Sequence, residues 1–208
     1  MSTSQAGQKG TFQPVTQPQE QTKPGLEKHL APSSESTKLE GAEGFVEYVG
    51  CGKLKDKKVL ITGGESSGIG RSVAILMARE GADITLVYLP QEQEDAEHTK
   101  KMVEKEGREC LLVAGDLMDR GFCERAVGEH VKKHSRINVL VNNASKQIMC
   151  PNFEDIDLDN VESTFRSNIL QAFAITKYAI PHMAKGDSYA LPPHPPNGLT
   201  TVVGRMSD

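Results

Sequence analysis

Residues 59–82 read Val59-Leu60-Ile61-Thr62-Gly63-Gly64-Glu65-Ser66-Ser67-Gly68-Ile69-Gly70-Arg71-Ser72-Val73-Ala74-Ile75-Leu76-Met77-Ala78-Arg79-Glu80-Gly81-Ala82. The first three are an apolar run of strand type, and the glycines that follow cannot continue it. Arg71 to Glu80 then reads as a helix, apolar at Val73, Ala74, Leu76 and Met77, with Gly81 as its C-terminal cap. Between strand and helix stands Gly64-x-x-x-Gly68-x-Gly70. Glycine is needed there for a tight turn, for close backbone approach to a pyrophosphate, and for tight helix–strand packing. The free N–H groups and positive dipole at the helix start suit phosphate.

The same alternation continues outward. Asp83 to Leu89 is a second strand, ended by Pro90, and Glu92 to Glu106 a charged helix closed by Gly107. Cys110 to Ala114 is a third strand. Asp119 to His134 is a helix with Phe122, Ala126, Val127 and Val131 on one face. Ile137 to Val141 is a fourth strand, followed by Asn142-Asn143, and Val161 to Met183 a long helix interrupted late by Pro181. Strands alternating with helices predict βαβ units: an α/β, Rossmann-type doubly wound parallel sheet with helices on both faces. Its dinucleotide-binding domain spans residues 54–186.

The flanks differ. Residues 1–50 are rich in Gln, Pro, Ser, Thr and Glu, and are expected to be a disordered extension, with Phe45, Val46, Tyr48 and Val49 giving its end some capacity to dock. Residues 187–208 include four prolines within 192–196, which neither a helix nor a central strand tolerates, so they read as an aberrant tail. The chain of 208 residues is 37% hydrophobic and 25% charged, with net charge −4 and no basic stripe. That argues against nucleic-acid or anionic-membrane partners. No apolar run approaches the ~20 residues of a membrane span. Cys51, Cys110, Cys123 and Cys150 lack metal-ligand spacing, so no metal site is expected. They read as reduced thiols in a cytoplasmic protein.

Four motifs follow one another: Thr62-Gly63-Gly64-Glu65-Ser66-Ser67-Gly68-Ile69-Gly70-Arg71, Gly115-Asp116-Leu117, Asn142-Asn143-Ala144-Ser145, and Ser167-Asn168-Ile169. In order and spacing they resemble the short-chain dehydrogenase/reductase family. The lead-in Gly50-Cys51-Gly52-Lys53-Leu54 is similar to a subgroup described as glucose/ribitol dehydrogenase-like or general aldehyde/alcohol oxidoreductases. There is one departure. Four residues separate Gly63 from Gly68 where the family has three, so the turn is one residue longer from Thr62; a bulge and weaker phosphate binding are the two outcomes open.

The resemblance implies a nicotinamide nucleotide, NADP or NAD, and a small alcohol, aldehyde or sugar-type substrate, the complete form being a homo-oligomer. By that implication Gly64, Ser66, Gly68, Ile69 and Gly70 line the pyrophosphate and ribose, and Asp116 accepts from the adenine amino group with Leu117 packed beside the ring. Asn143, Ala144 and Ser145 approach the adenosine ribose. Tyr88 stands at the end of the second strand, where an acid would favour NAD. No acid is present there, and Arg71 could meet a 2′-phosphate, so the lean is toward NADP.

The family's proton chemistry uses a serine, a Tyr-x-x-x-Lys pair and an asparagine. Asn168 occupies the asparagine's place, among an apolar stripe of Phe165, Ile169, Leu170 and Phe173 read as core. The pair is missing: Tyr48, Tyr88, Tyr178 and Tyr189 are followed four residues on by Gly52, Glu92, His182 and Pro193. The chain is therefore expected to be inactive, truncated or aberrant beyond Ser188, with its fourth strand near an exposed edge and low stability. The alternative is a non-catalytic nucleotide-binding module that pairs with full-length subunits.

Overall fold

Short continuous apolar runs place the central strands. The computed structural model describes residues 37–41, 44–63, 68–146, 148, 150–190 and 203–205. Within them β1 (Lys38–Gly41) and β2 (Gly44–Glu47) form an antiparallel pair. The main sheet holds β3 (Lys58–Thr62), β4 (Asp83–Tyr88), β5 (Cys110–Ala114), β6 (Val139–Asn142), β7 (Ser188–Ala190) and β8 (Val203–Arg205), in the order β5-β4-β3-β6-β7-β8. The first five are parallel, and β8 closes the row antiparallel to β7. The helices are α1 (Ile69–Arg79), α2 (Gln93–Lys105), α3 (Arg120–His134), α4 (Leu158–Phe165) and α5 (Gln171–Ala179).

Each central strand is buried on both faces. Val59 and Ile61 join Ile84, Leu86, Ala74, Ala78 and Val103 in one core, against α1 and α2. Leu60 points the other way, into a second core with Val87, Leu140, Phe122, Ala126, Val127 and Ile175, against α3 and α5. This is the doubly wound arrangement that continuous apolar runs predict. Its chain reverses direction at β3: the next strands, β4 and β5, extend the sheet to one side, and β6 lies on the other. Burial also raises the thiols of Cys110 and Cys123 to about 12 and about 11, which leaves them protonated and unreactive.

Three expectations need correction for the described residues. The extension does not remain free up to residue 50. The Arg79 guanidinium holds Glu47 at 2.7 Å, Glu106 at 2.9 Å and the Tyr48 carbonyl at 3.0 Å. The Tyr48 hydroxyl donates to Glu80, whose other carboxylate oxygen accepts the Lys53 N–H at 2.7 Å. Nor is β6 an edge: Ser188, Tyr189 and Ala190 pair with Val139, Leu140 and Val141. The prolines at 192–196 lie outside the described residues. Third, the long helix changes pitch well before Pro181, in a π-helical turn at Arg166–Leu170. This rotates Ser167, Gln171, Ala172, Ile175 and Ala179 inward and leaves Phe165 and Phe173 60% and 68% exposed. Of the stripe read as core, Phe165, Leu170 and Phe173 are surface and Ile169 is half-buried.

Candidate functional site

The C-terminal ends of β3 and β6 meet where the chain reverses. In open α/β sheets such a switch point opens a crevice for a ligand. Thr62 joins the two strand ends: its Oγ1 accepts the Asn143 N–H at 3.0 Å and the Ala144 N–H at 3.1 Å, and donates to the Val141 carbonyl at 3.4 Å. The Asn143 carboxamide donates to the Gly63 carbonyl. Gly63 has φ +64, and a Cβ there would stand 2.7 Å from the Ala144 Cα. Only glycine lets the two loops approach this closely. Behind them the Asn142 carboxamide donates to Thr176 Oγ1 at 3.2 Å and to the Ala190 carbonyl at 3.1 Å, tying β7 and α5 to the strand end.

Gly64 and Ser66 lie outside the described residues, as does the extra residue of the turn. Gly68, at the N-cap of α1, has φ +118, makes no side-chain cap, and has nothing within 4 Å of where a Cβ would stand. Among the described residues nothing crowds the start of this 11-residue helix, whose first turn has no acidic residue. The N–H groups of a first helical turn have no acceptor within the helix, which suits them to an anion. Gly70 is buried in that turn, and Ile69 is exposed.

Arg71 departs from its expectation. It is buried, its guanidinium lying 3.1 Å from the Asp95 carboxylate and its Nε donating to Thr99 Oγ1 at 3.3 Å. The cation is committed to bracing α1 against α2, which weakens its reading as a partner for a 2′-phosphate. Tyr88 is buried with its hydroxyl donating to Gln93. The Glu92 carboxylate turns back to the Leu89 N–H at 3.2 Å.

Asp116 is exposed, with one carboxylate oxygen accepting the Met118 N–H at 2.8 Å in a local turn. Leu117 is buried in the core beside Phe122 and Cys123. Ser145 is exposed and Ala144 packs partly on that core.

Asn168 is the centre of the π-helical turn. Its Oδ1 accepts the Lys146 N–H at 2.7 Å and its Nδ2 donates to the Lys146 carbonyl at 2.8 Å. Ser167 Oγ donates to the same Oδ1 at 2.9 Å. Gln171 Nε2 donates to the Ala144 carbonyl at 2.8 Å, and Lys146 Nζ to Ser163 Oγ at 2.7 Å. The backbone from Asn143 to Lys146 is thus gripped from both sides. Lys146 and Gln171 were not singled out in the sequence, while Thr62 and Ser167 stood there only as members of their motifs, without a role of their own. Their signals were position: Thr62 is the hydroxyl beside the glycine turn and Ser167 precedes Asn168.

All four tyrosines serve packing or local bonds. Tyr48 and Tyr88 have their hydroxyls bonded, and Tyr178 and Tyr189 pack against the α3/α5 core. Among the described residues no group of three or more His, Cys, Asp or Glu is arranged to hold a metal, and no helix is long and apolar enough to cross a membrane.

Comparison with known proteins agrees with this geometry. The short chain dehydrogenase family model matches residues 57–189. The uncharacterized oxidoreductase YhdF of Bacillus subtilis is 47% identical over 140 residues, 67% of this chain and 48% of that protein. The chloroplastic NADPH-dependent aldehyde reductase 1 of Arabidopsis thaliana is 39% identical over 147 residues, 68% of this chain and 51% of that protein. A short chain dehydrogenase from Burkholderia cenocepacia in complex with NADP superposes with a TM-score of 0.62 at 27% identity, covering 66% of this chain and 55% of that one. The NADH-dependent reductase A1-R′ complexed with NAD gives 0.57 at 32%, covering 63% and 53%. The chain spans about half the length of the curated relatives it matches. It is an oxidoreductase-type chain that belongs to the short-chain dehydrogenase/reductase family.

Proposed function

We propose that the chain binds a nicotinamide dinucleotide over the C-terminal ends of β3, β4 and β6. The enzyme it belongs to acts on the CH–OH or carbonyl group of an alcohol, aldehyde or sugar-type substrate. The observation that carries this reading is the close junction of Thr62-Gly63 with Asn143-Ala144 at the switch point. In this reading the N–H groups after Gly68 hold the pyrophosphate, with Gly64, Ser66, Ile69 and Gly70 around it. The end of β4 at Tyr88 borders the adenosine ribose. Asp116 keeps a carboxylate oxygen for the adenine amino group, and Asn143, Ala144 and Ser145 face the ribose. Asn168 fixes the backbone at Lys146. When bound, the nicotinamide supplies or accepts the hydride.

Between the two nucleotides we propose NADP. With Arg71 bound to Asp95, the preference rests on the absence of an acid in Val87-Tyr88-Leu89-Pro90. The name of the Arabidopsis relative supports it. A cytoplasmic location belongs to the same reading, on the unpaired thiols.

These 208 residues offer no group for the proton step, because no tyrosine has a lysine four residues on. The chain on its own is therefore proposed to bind nucleotide without turnover. A second reading, a non-catalytic nucleotide-binding module that pairs with full-length subunits, is favoured by one surface, which in the complete form would serve a homo-oligomer. Leu158, Phe165, Phe173 and Ile180 are exposed along α4, α5 and the turn that follows. Their spacing of seven, eight and seven residues, with the π-helical turn absorbing the extra one, keeps one apolar stripe for a second copy.

The test is a fluorescence titration with NADPH and NADH, followed by assays on aldehydes and polyols. Saturable binding without turnover is expected. Failure of both nucleotides to bind would overturn the nucleotide reading, and turnover by the purified chain would overturn the inactivity.

A further inference from the structure

Two side chains at the π-helical turn hold the loop after β6, and only one of them, Asn168, was expected. The other is Gln171. Its backbone N–H closes the wide turn on the Arg166 carbonyl, and the residue opens α5 while only 8% exposed. Its inward neighbours on that helix, Ala172, Ile175 and Ala179, are apolar. Burying a glutamine gives up much of its rotamer freedom, so packing alone favours an apolar residue here. What the carboxamide adds is one bond, from Nε2 to the Ala144 carbonyl at 2.8 Å.

That bond fixes more than one carbonyl. A peptide unit is planar and trans, so its C=O and N–H point in opposite directions. The Ala144–Ser145 unit turns its carbonyl to Gln171, which directs the Ser145 N–H away from Gln171. The Ser145–Lys146 unit turns its N–H to Asn168, which directs the Ser145 carbonyl away from Asn168. Ser145 is exposed, and neither of these backbone groups has a hydrogen-bond partner among the described residues. Other backbone groups of the loop are taken: Thr62 Oγ1 holds the Asn143 and Ala144 N–H groups, and Asn168 holds Lys146. A neighbouring donor and acceptor match a hydroxyl, which can accept from an N–H and donate to a carbonyl.

We propose that Gln171 is a positioning residue for the nucleotide. Together with Asn168 it sets the Ala144–Ser145 peptide so that the Ser145 N–H and carbonyl meet a ribose hydroxyl. The role rests on the reading of the crevice as a nicotinamide-dinucleotide site. Gln171 touches no ligand and acts through Ala144. Without its donor the Ala144 carbonyl loses its partner, and the peptide that carries the Ser145 N–H is no longer held in one orientation.

The test is NMR of the full chain carrying isotope-labelled serine. Ser145 reports on this loop. Ser72, whose N–H lies 3.2 Å from the Gly68 carbonyl, reports on the start of α1. Each amide signal is assigned by its loss in the alanine variant. Oxidised NADP is added to the parent chain and to Gln171→Met, which keeps the side chain's length and removes its donor. In the parent both signals should move saturably with one affinity. In Gln171→Met the Ser145 signal should be displaced before nucleotide is added, the Ser72 signal should not, and affinity should fall about fivefold, the effect of one hydrogen bond. A packing role alone would lower the unfolding midpoint and leave the affinity of the folded chain unchanged. Gln171→Glu serves if Gln171→Met does not fold. Its carboxylate opposes the Ala144 carbonyl, while its protonated form donates to it. Its affinity relative to the parent's should therefore recover as pH is lowered from about 7.5 to about 5.5, a range that burial brings within reach of a carboxyl. Parent-like affinity in Gln171→Met, or no recovery in Gln171→Glu, overturns the positioning role and leaves the nucleotide reading standing. Silence of both serines in the parent overturns the nucleotide reading, and this role with it.

Discussion

The carboxamide of Asn168 and the backbone of Lys146 form a two-way bridge, one bond of 2.7 Å accepted and one of 2.8 Å donated, across 22 residues of sequence. The bridge makes the π-helical turn intelligible. An α-helix that admits one wide turn at Arg166–Leu170 loses regular bonds there, and such turns recur at functional sites. Here the turn presents the Asn168 side chain to the loop after β6, which sequence-adjacent contacts cannot hold.

Asn168→Ala should therefore loosen the Asn143–Lys146 backbone and leave an N–H and a carbonyl without partners. A loss of about 1–3 kcal/mol in unfolding free energy is expected from chemical denaturation. Asn168→Asp keeps the acceptor for the Lys146 N–H but sets an oxygen against the Lys146 carbonyl. It should cost at least as much at neutral pH. An unchanged midpoint for both variants would contradict the role given to the bridge.

Gly63→Ala tests the junction of the two loops. A side chain at φ +64 carries left-handed strain of about 1–2 kcal/mol. The added carbon must also part Gly63 from Ala144, 2.7 Å away, an overpacking cost of roughly 1–3 kcal/mol. Nucleotide affinity should fall together with stability. Gly128→Ala, on the exposed face of α3 with open space around it, is the control and should hold stability or raise it slightly.

Acid should destabilise the fold through His130. This ring is fully buried, and its Nε2 lies 3.0 Å from the Arg136 carbonyl, which can only accept. Nε2 therefore carries the proton, and Nδ1 accepts from Thr85 Oγ1 at 2.7 Å. Burial lowers the imidazole from 6.5 to about 4. The unfolded chain takes up a proton near pH 6.5 and the folded one does not until about pH 4. Stability is thus full above 6.5 and declines as pH falls through that window, by at most about 1.4 kcal/mol per unit. His134, lowered first by burial and then by Lys58, acts in the same direction. His130→Gln should flatten most of the slope between pH 6.5 and 4.5 in denaturant titrations; an unaltered slope would assign it elsewhere.

How much of this was legible in the sequence depends on the range of the forces involved. The bounds of β5 at Cys110–Ala114 follow from a local apolar run, and the start of α3 from Asp119, whose carboxylate caps the Gly121 N–H at 2.9 Å. Both are short-range effects. The docking of the segment before β3 rests on Arg79, which gathers Glu47 and Glu106 from opposite directions along the chain. Periodicity carries no trace of such a contact. Asn168 was found by its motif, but the outward turn of Phe165 and Phe173 was not, because the π-helical turn that rotates them depends on a partner 22 residues away. The chemistry at Arg71 was misread for a related reason: its position beside the glycine turn is visible in sequence, while its bond to Asp95 is tertiary.

That bond yields the last prediction. Arg71 and Asp95 are both shielded from solvent, with side chains 8% and 14% exposed, and one Asp95 oxygen already has no hydrogen-bond partner. Removing the cation in Arg71→Ala leaves a carboxylate buried between α1 and α2 without its charge partner. A loss of about 3–5 kcal/mol is expected, far more than for a surface arginine. Arg71→Ala with Asp95→Ala should recover a good part of that loss, since no isolated charge remains. If the guanidinium braces the helices and does not hold a 2′-phosphate, the ratio of NADPH to NADH affinity in the double variant should match that of the parent chain. A selective fall in NADPH affinity would instead return Arg71 to the nucleotide site and free Asp95 from its structural role.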